Sequence, residues 1–172
     1  ADTLQLFPVR THGNVTELVL SLLSCSDSAR YRGIMTATTS ACLRYLGFER
    51  AYSVQWSREL QRSYVRAKAD VSPRRLQPTT AEPTPHEISA LERALETGEA
   101  QHIVANHESS GLLRLLGADE VLAVPLNRDF KVPTFVIMDR ALSGSSIRLS
   151  KDRIGAEALA GTASLLIENL LL

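Results

Sequence analysis

Two apolar runs, at 121–126 and at 134–138, are joined by a polar stretch containing Asn127, Arg128, Asp129 and Lys131, a pattern that predicts a buried β-hairpin. In the first run Leu122, Val124 and Leu126 fall on one face and Val121, Ala123 and Pro125 on the other, so both faces are apolar. Strands of that kind belong at the centre of a sheet covered on both sides. Pro125 has no amide for a ladder, so regular pairing should bulge or end there.

Helical spacing dominates the first quarter of the chain. After an arm at 1–13, Asn14 and Glu17 have capping-box spacing, and Val15, Leu18, Val19, Leu22 and Leu23 predict a helix to about Cys25. A second helix follows Ser26 and Asp27, carries Tyr31, Ile34, Met35, Thr38, Cys42, Tyr45 and Leu46 on one stripe, and stops at Gly47. Ala51–Trp56 and Gln61–Lys68 read as paired strands, the second near an edge because Arg62, Tyr64, Arg66 and Lys68 share a wet face. The stretch from Asp70 to Pro85 holds four of the seven prolines and predicts a long irregular loop.

Thr84, Pro85 and Glu87 then supply a cap, a first-turn proline and a capping-box carboxylate for a helix that turns Ile88, Leu91 and Leu95 inward before Gly98. A brief strand at Gln101–Ala105, a polar loop at 106–111 and an apolar turn at Leu112–Leu116 lead to the hairpin. Ser150 is the expected cap of a last helix running to the chain end. There Leu159, Ala163, Leu166 and Leu170 form one apolar stripe, Ala158, Leu165 and Leu172 a neighbouring one, and Arg153, Glu157, Ser164 and Glu168 lie opposite. That helix shows no stop signal, so it is expected to continue into an output domain of a longer protein.

With 172 residues and 44% hydrophobic content, the chain suits a single domain, at 14–172, with a full core. Nineteen basic and nineteen acidic residues cancel, which removes a global electrostatic case for nucleic acid or an anionic membrane as partner. No apolar run reaches spanning length and no signal-peptide pattern occurs, so a cytoplasmic setting is expected. The two cysteines, Cys25 and Cys42, have neither metal-ligand nor redox spacing.

Taken in order, these elements resemble a GAF domain over nearly the whole chain. ETGEAQHIVA at 96–105 is similar to that family's threonine-glycine-glutamate passage into a short strand. EVLAVPL at 120–126 resembles its central strand with a valine-proline-leucine step, and LAGTASLLIENL at 159–170 its closing helix. The resemblance implies an α+β, PAS-related fold with a central antiparallel sheet of five to six strands. Terminal helices would cover one face, and loops and short helices would roof a ligand pocket on the other. It further implies a non-catalytic sensory or regulatory module in signal transduction, a homodimer through the terminal helices, and control of an output domain in the same chain. The asparagine-lysine-phenylalanine-aspartate-glutamate signature of cyclic-nucleotide members cannot be threaded here. Cys25 precedes Ser26 and Cys42 precedes Leu43, unlike the chromophore-bearing cysteine of bilin members, and no cysteine stands in the middle loops as in the methionine sulfoxide reductase branch.

Candidate ligand residues are Ser53 and Gln55, which share a strand face, and the cluster His102, Asn106, His107 and Glu108 where a strand meets a loop. His107 and Glu108 begin like a zinc-protease helix, but Gly111 stands where the second histidine is needed, so no metal site is assigned and no cofactor is named. Arg74 and Arg75 could clamp an anion, although exposed charge is the plainer account. Leu18, Leu22, Leu159, Leu166 and Leu170 are the expected dimer contacts. Two other readings stand beside this one: a ligand-free structural dimerisation module, and a thiol-dependent enzyme of the methionine sulfoxide type.

Overall fold

The computed structural model describes residues 31–72, 79–106, 111–126 and 132–171. The expected first helix, with Leu18 and Leu22, and the positions Arg74, Arg75, His107 and Glu108 lie outside them. Helix α1, Tyr31–Leu46, buries Ile34, Met35, Cys42 and Leu43. Its buried Thr38 and Thr39 hydroxyls are satisfied by donating back to the carbonyls of Ile34 and Met35 at 2.6 and 3.1 Å. At its end Gly47 has φ 72°, and the Phe48 amide reaches back to the Cys42 carbonyl, which closes the last turn.

Six antiparallel strands follow: β1 (Arg50–Ser57), β2 (Arg62–Asp70), β3 (Thr80–Ala81), β4 (Gln101–Val104), β5 (Glu120–Pro125) and β6 (Thr134–Asp139). Their spatial order is β3-β2-β1-β6-β5-β4. The hairpin expected from the apolar runs is β5 and β6, and β6 sits beside β1 at the centre. As the proline requires, β5 ends at Pro125. The predicted near-edge position of β2 is also met, since only the two-residue β3 lies outside it.

Three further helices lie among the described residues: α2 (Pro85–Thr97), α3 (Leu112–Leu116) and α4 (Leu149–Leu171). One face of the sheet, with Ala51, Leu122, Val124, Val136 and Met138, packs against α1 and α4. The other, with Tyr52, Val54, Val121, Ala123, Phe135 and Ile137, packs against α2 and α3. This is the α+β architecture of a six-stranded sheet between two helical layers. The expected Ser150 cap is displaced, because α4 already begins at Leu149 and the Asp152 carboxylate takes the Arg148 amide at 2.8 Å. The two apolar stripes of α4 also part company: Leu159 and Leu166 are in the core, while Leu165 is 63% exposed.

Candidate functional site

The site grows from the start of α2. Thr84 and Glu87 form the capping box expected from their spacing, with the Thr84 amide donating to Glu87 Oε1 at 2.8 Å. Glu87 does more than that spacing requires. Its Oε1 also accepts the Leu112 amide and its Oε2 the Leu113 amide, both at 2.8 Å, so one buried carboxylate joins the starts of α2 and α3. Gly111 makes the approach possible: φ is 117°, and a Cβ there would stand 2.6 Å from Glu87 Oε1 and 2.7 Å from Thr84 Cγ2.

Beside this staple opens a cleft of about 480 Å³ between α2, the end of β4 and α3. Buried Glu87, Leu113 and Ala118 line it together with exposed His86, Asn106, Arg114 and Asp119. Its far wall, Gly117, is held from inside the sheet. The Gly117 carbonyl accepts Arg50 Nη2 at 3.2 Å, and the same guanidinium makes a two-pronged pair with Asp139 at 2.9 and 3.0 Å. Both partners are buried, at 1% and 0% exposure. Burial pushes the Asp139 carboxyl above its ordinary range, and the Arg50 guanidinium and the Ala141 amide pull it back.

The neighbouring Arg140 faces the opposite layer. It makes a two-pronged pair with Asp152 of α4 at 2.7 and 3.0 Å, donates to the carbonyls of Leu46 and Gly47 at the end of α1, and lies 4.1 Å from the Phe48 ring centroid. Consecutive residues of β6 and its exit thus connect to the two layers, Asp139 through Arg50 to the cleft wall and Arg140 directly to the long helices. On the α2 side the Trp56 indole donates to Glu92 Oε1 at 3.0 Å. Arg58 first, and then the indole, hold the Glu92 carboxyl below its ordinary range against partial burial.

The predicted ligand residues are divided by this geometry. Asn106 lines the cleft. His102 does not: it sits opposite Leu122, on the layer of α4, with Nε2 3.3 Å from Glu120 Oε2, whose partner oxygen accepts the Ile147 amide. Ser53 and Gln55 would line a pocket only if their shared face were turned towards the middle loops, and the register turns it the other way. Ser53 stands opposite Val136, in the α1 and α4 layer, and Gln55 Oε1 accepts Arg66 Nε at 2.7 Å. Tyr52, Val54 and Trp56 take the middle-loop face instead. Composition along a strand buried on both sides leaves its faces interchangeable, which is why the sequence could not orient it. The expected dimer contacts Leu159 and Leu166 are buried against the core and have no surface to offer, and the Leu170 side chain lies outside the described ones. Sequence reasoning missed Arg50, Asp139, Arg140 and Asp152, because a charged residue at a strand or helix end carries no sign that it is buried.

Solved structures match this arrangement over most of the chain. One is the phycoerythrobilin-bound GAF domain of a cyanobacterial phytochrome, with TM-score 0.66, 11% identity, and 91% of this chain and 95% of that one covered. The chain has the GAF fold. Two further matches are proteins of other kinds. A methyl-accepting chemotaxis protein matches with TM-score 0.66 and 11% identity over 87% of this chain and 95% of that one. The free methionine-R-sulfoxide reductase of Neisseria meningitidis, solved with its substrate, matches with TM-score 0.63 and 10% identity over 98% and 92%. No sequence-family pattern matches the chain, and no curated protein matches its sequence. A fold shared by proteins so different in activity fixes architecture and leaves function to the site.

Proposed function

We propose that this chain is a non-catalytic GAF-type sensory or regulatory domain of the cytoplasm. It takes a small polar molecule in the cleft between α2 and α3, dimerises through its helices and controls an output domain. The observation that carries the reading is that cleft floor and wall are each fixed by a buried charged side chain, Glu87 and Arg50, bonded to backbone at the two ends of α3. Such an arrangement pre-organises a cleft, and its rim of His86, Asn106, Arg114 and Asp119 offers both donors and acceptors. A ligand that shifts α3 would bias Gly117, then the Arg50–Asp139 pair, then Arg140 and Asp152 at the start of α4.

Against a thiol-dependent enzyme built on it stands the setting of Cys42. It is buried in the α1 layer, on the far side of the sheet from the cleft, its Sγ donates to the Thr38 carbonyl, and burial pushes its thiol far above the range in which a thiolate forms. A reductase of the methionine sulfoxide type would therefore rest on Cys25, outside the described residues, and Cys25→Ser would abolish a measurable reduction.

The ligand-free structural module is the second reading. It is favoured by the packing beneath α2 and α3, where Tyr52, Trp56, Leu91, Ile103 and Phe135 are at most 1% exposed and form one apolar cluster. Native mass spectrometry of the purified chain, followed by denaturation, separates the two. A small molecule released on unfolding, and lost from Arg114→Ala, supports the sensor. A chain that is bare in both variants leaves the structural module.

A further inference from the structure

We infer that the outward face of α4 pairs antiparallel with the same face of a second copy of this chain, about a two-fold axis between Leu159 and Ala160. The inference rests on the dimer element of the reading above and names a surface that reading did not contain. Lys151, Ile154, Ala158, Gly161, Leu165 and Glu168 follow one another at spacings of 3, 4, 3, 4 and 3, which keeps them on one stripe of a helix. Ile154 is 69% and Leu165 63% exposed, while the inward stripe of Leu159, Ala163 and Leu166 already satisfies the core.

The stripe is complementary to itself. Reversed about its midpoint, it sets Ile154 against Leu165, Ala158 against Gly161 and Lys151 against Glu168, each twice in the pair, as an isologous interface demands. Lys151 and Glu168 are exposed and make no ion pair among the described residues, whereas Arg153 beside them is already engaged by Glu99 and Glu157. A parallel pairing would instead bring Lys151 to Lys151 and Glu168 to Glu168. Charge thus selects the antiparallel sense.

Gly161 adds an independent point. Mid-helix glycine weakens a helix, and here a Cβ would meet nothing within 4 Å, so nothing inside the described chain requires its absence. Close approach of a second helix backbone at the crossing point does require it.

The test is sedimentation of the purified chain over a concentration series, with circular dichroism to confirm that each variant is folded. The chain should dimerise, and Ile154→Glu or Leu165→Glu should weaken association at least about tenfold, since each buries a charge at both ends of the contact. Lys151→Glu and Glu168→Lys should each weaken it by about threefold to tenfold, as expected for two exposed ion pairs, and the double exchange K151E/E168K should restore it. A dimer indifferent to these four substitutions, or weakened by the charge variants without rescue in the double exchange, would overturn the pairing and leave the dimer reading standing. A monomer at every concentration, its stripe covered by residues 14–25 of its own chain or left bare, would overturn both.

Discussion

Against one face of the sheet lie two helices packed along full apolar stripes, with charge only where Arg140 ties the end of α1 to the start of α4, whereas on the other face buried charge fixes both ends of the five-residue α3. In the first layer α1 and α4 meet Ala51, Leu122, Val124, Val136 and Met138; along α1 the buried Thr38 and Thr39 bond within their own helix, and charge enters only at the helix ends, through Arg140 and Asp152. In the second, Glu87 serves the backbone of α3, Arg50 reaches Gly117 from the sheet, and Glu92 holds the Trp56 indole. Long helices can be placed by area alone, because each buries a full stripe. A helix of five residues such as α3 has too little area and too few internal hydrogen bonds, so its position has to be imposed by directed bonds. The layer that carries the cleft is therefore also the one that discrete substitutions can loosen.

The largest expected effect comes from the ion pair between the layers. Asp139→Ala leaves Arg50 buried without its partner and should cost about 3–5 kcal/mol in denaturant unfolding, whereas Arg50→Met with Asp139→Leu should recover most of it. Next, Leu159→Ala removes a fully buried side chain of the apolar layer and should cost about 2–5 kcal/mol, felt evenly by both layers because the core unfolds as a unit. Glu87→Ala should cost less, about 2–3 kcal/mol, because it leaves the Leu112 and Leu113 amides without their charged acceptor. Amide exchange should then quicken at 111–117 while α1 and α4 keep their protection. Equal acceleration in both layers would show that the staple is not local.

The smallest effect concerns Glu92. Its carboxyl is held below the ordinary range chiefly by Arg58, so its contribution to stability is present above the unfolded-state value and is lost as pH falls through the lower folded-state one. Arg58 and Glu92 are 52% and 37% exposed, which limits the contribution to under about 1 kcal/mol. Trp56 is the only tryptophan, so its emission should change over that acidic window, and Glu92→Gln should remove the change.

Legibility followed the same division. Capping chemistry at Thr84, Pro85 and Glu87, the stop at Gly47, the strand end at Pro125 and the apolar β5–β6 hairpin were all readable, since each depends on neighbours within a few positions. Of the proposed ligand residues only Asn106 reached the cleft among those described, and His102, Ser53 and Gln55 face the other layer. His86, Arg114 and Asp119 were passed over because each is an ordinary exposed residue until α2, β4 and α3 are brought together.

The sequence by itself determined the kinds of element, their order and the apolar centre of the sheet, because hydrophobic period, caps and turn residues act over a single turn or strand. Tertiary structure alone decided which face of β1 meets which helices, which stripe of α4 is left in solvent, and that Arg50, Asp139 and Glu87 are buried. The physical reason is that a doubly buried strand and a broadly apolar helix are nearly symmetric in composition. Only the long-range pairing of β1 with β6, and of α4 with α1 and the sheet, breaks that symmetry.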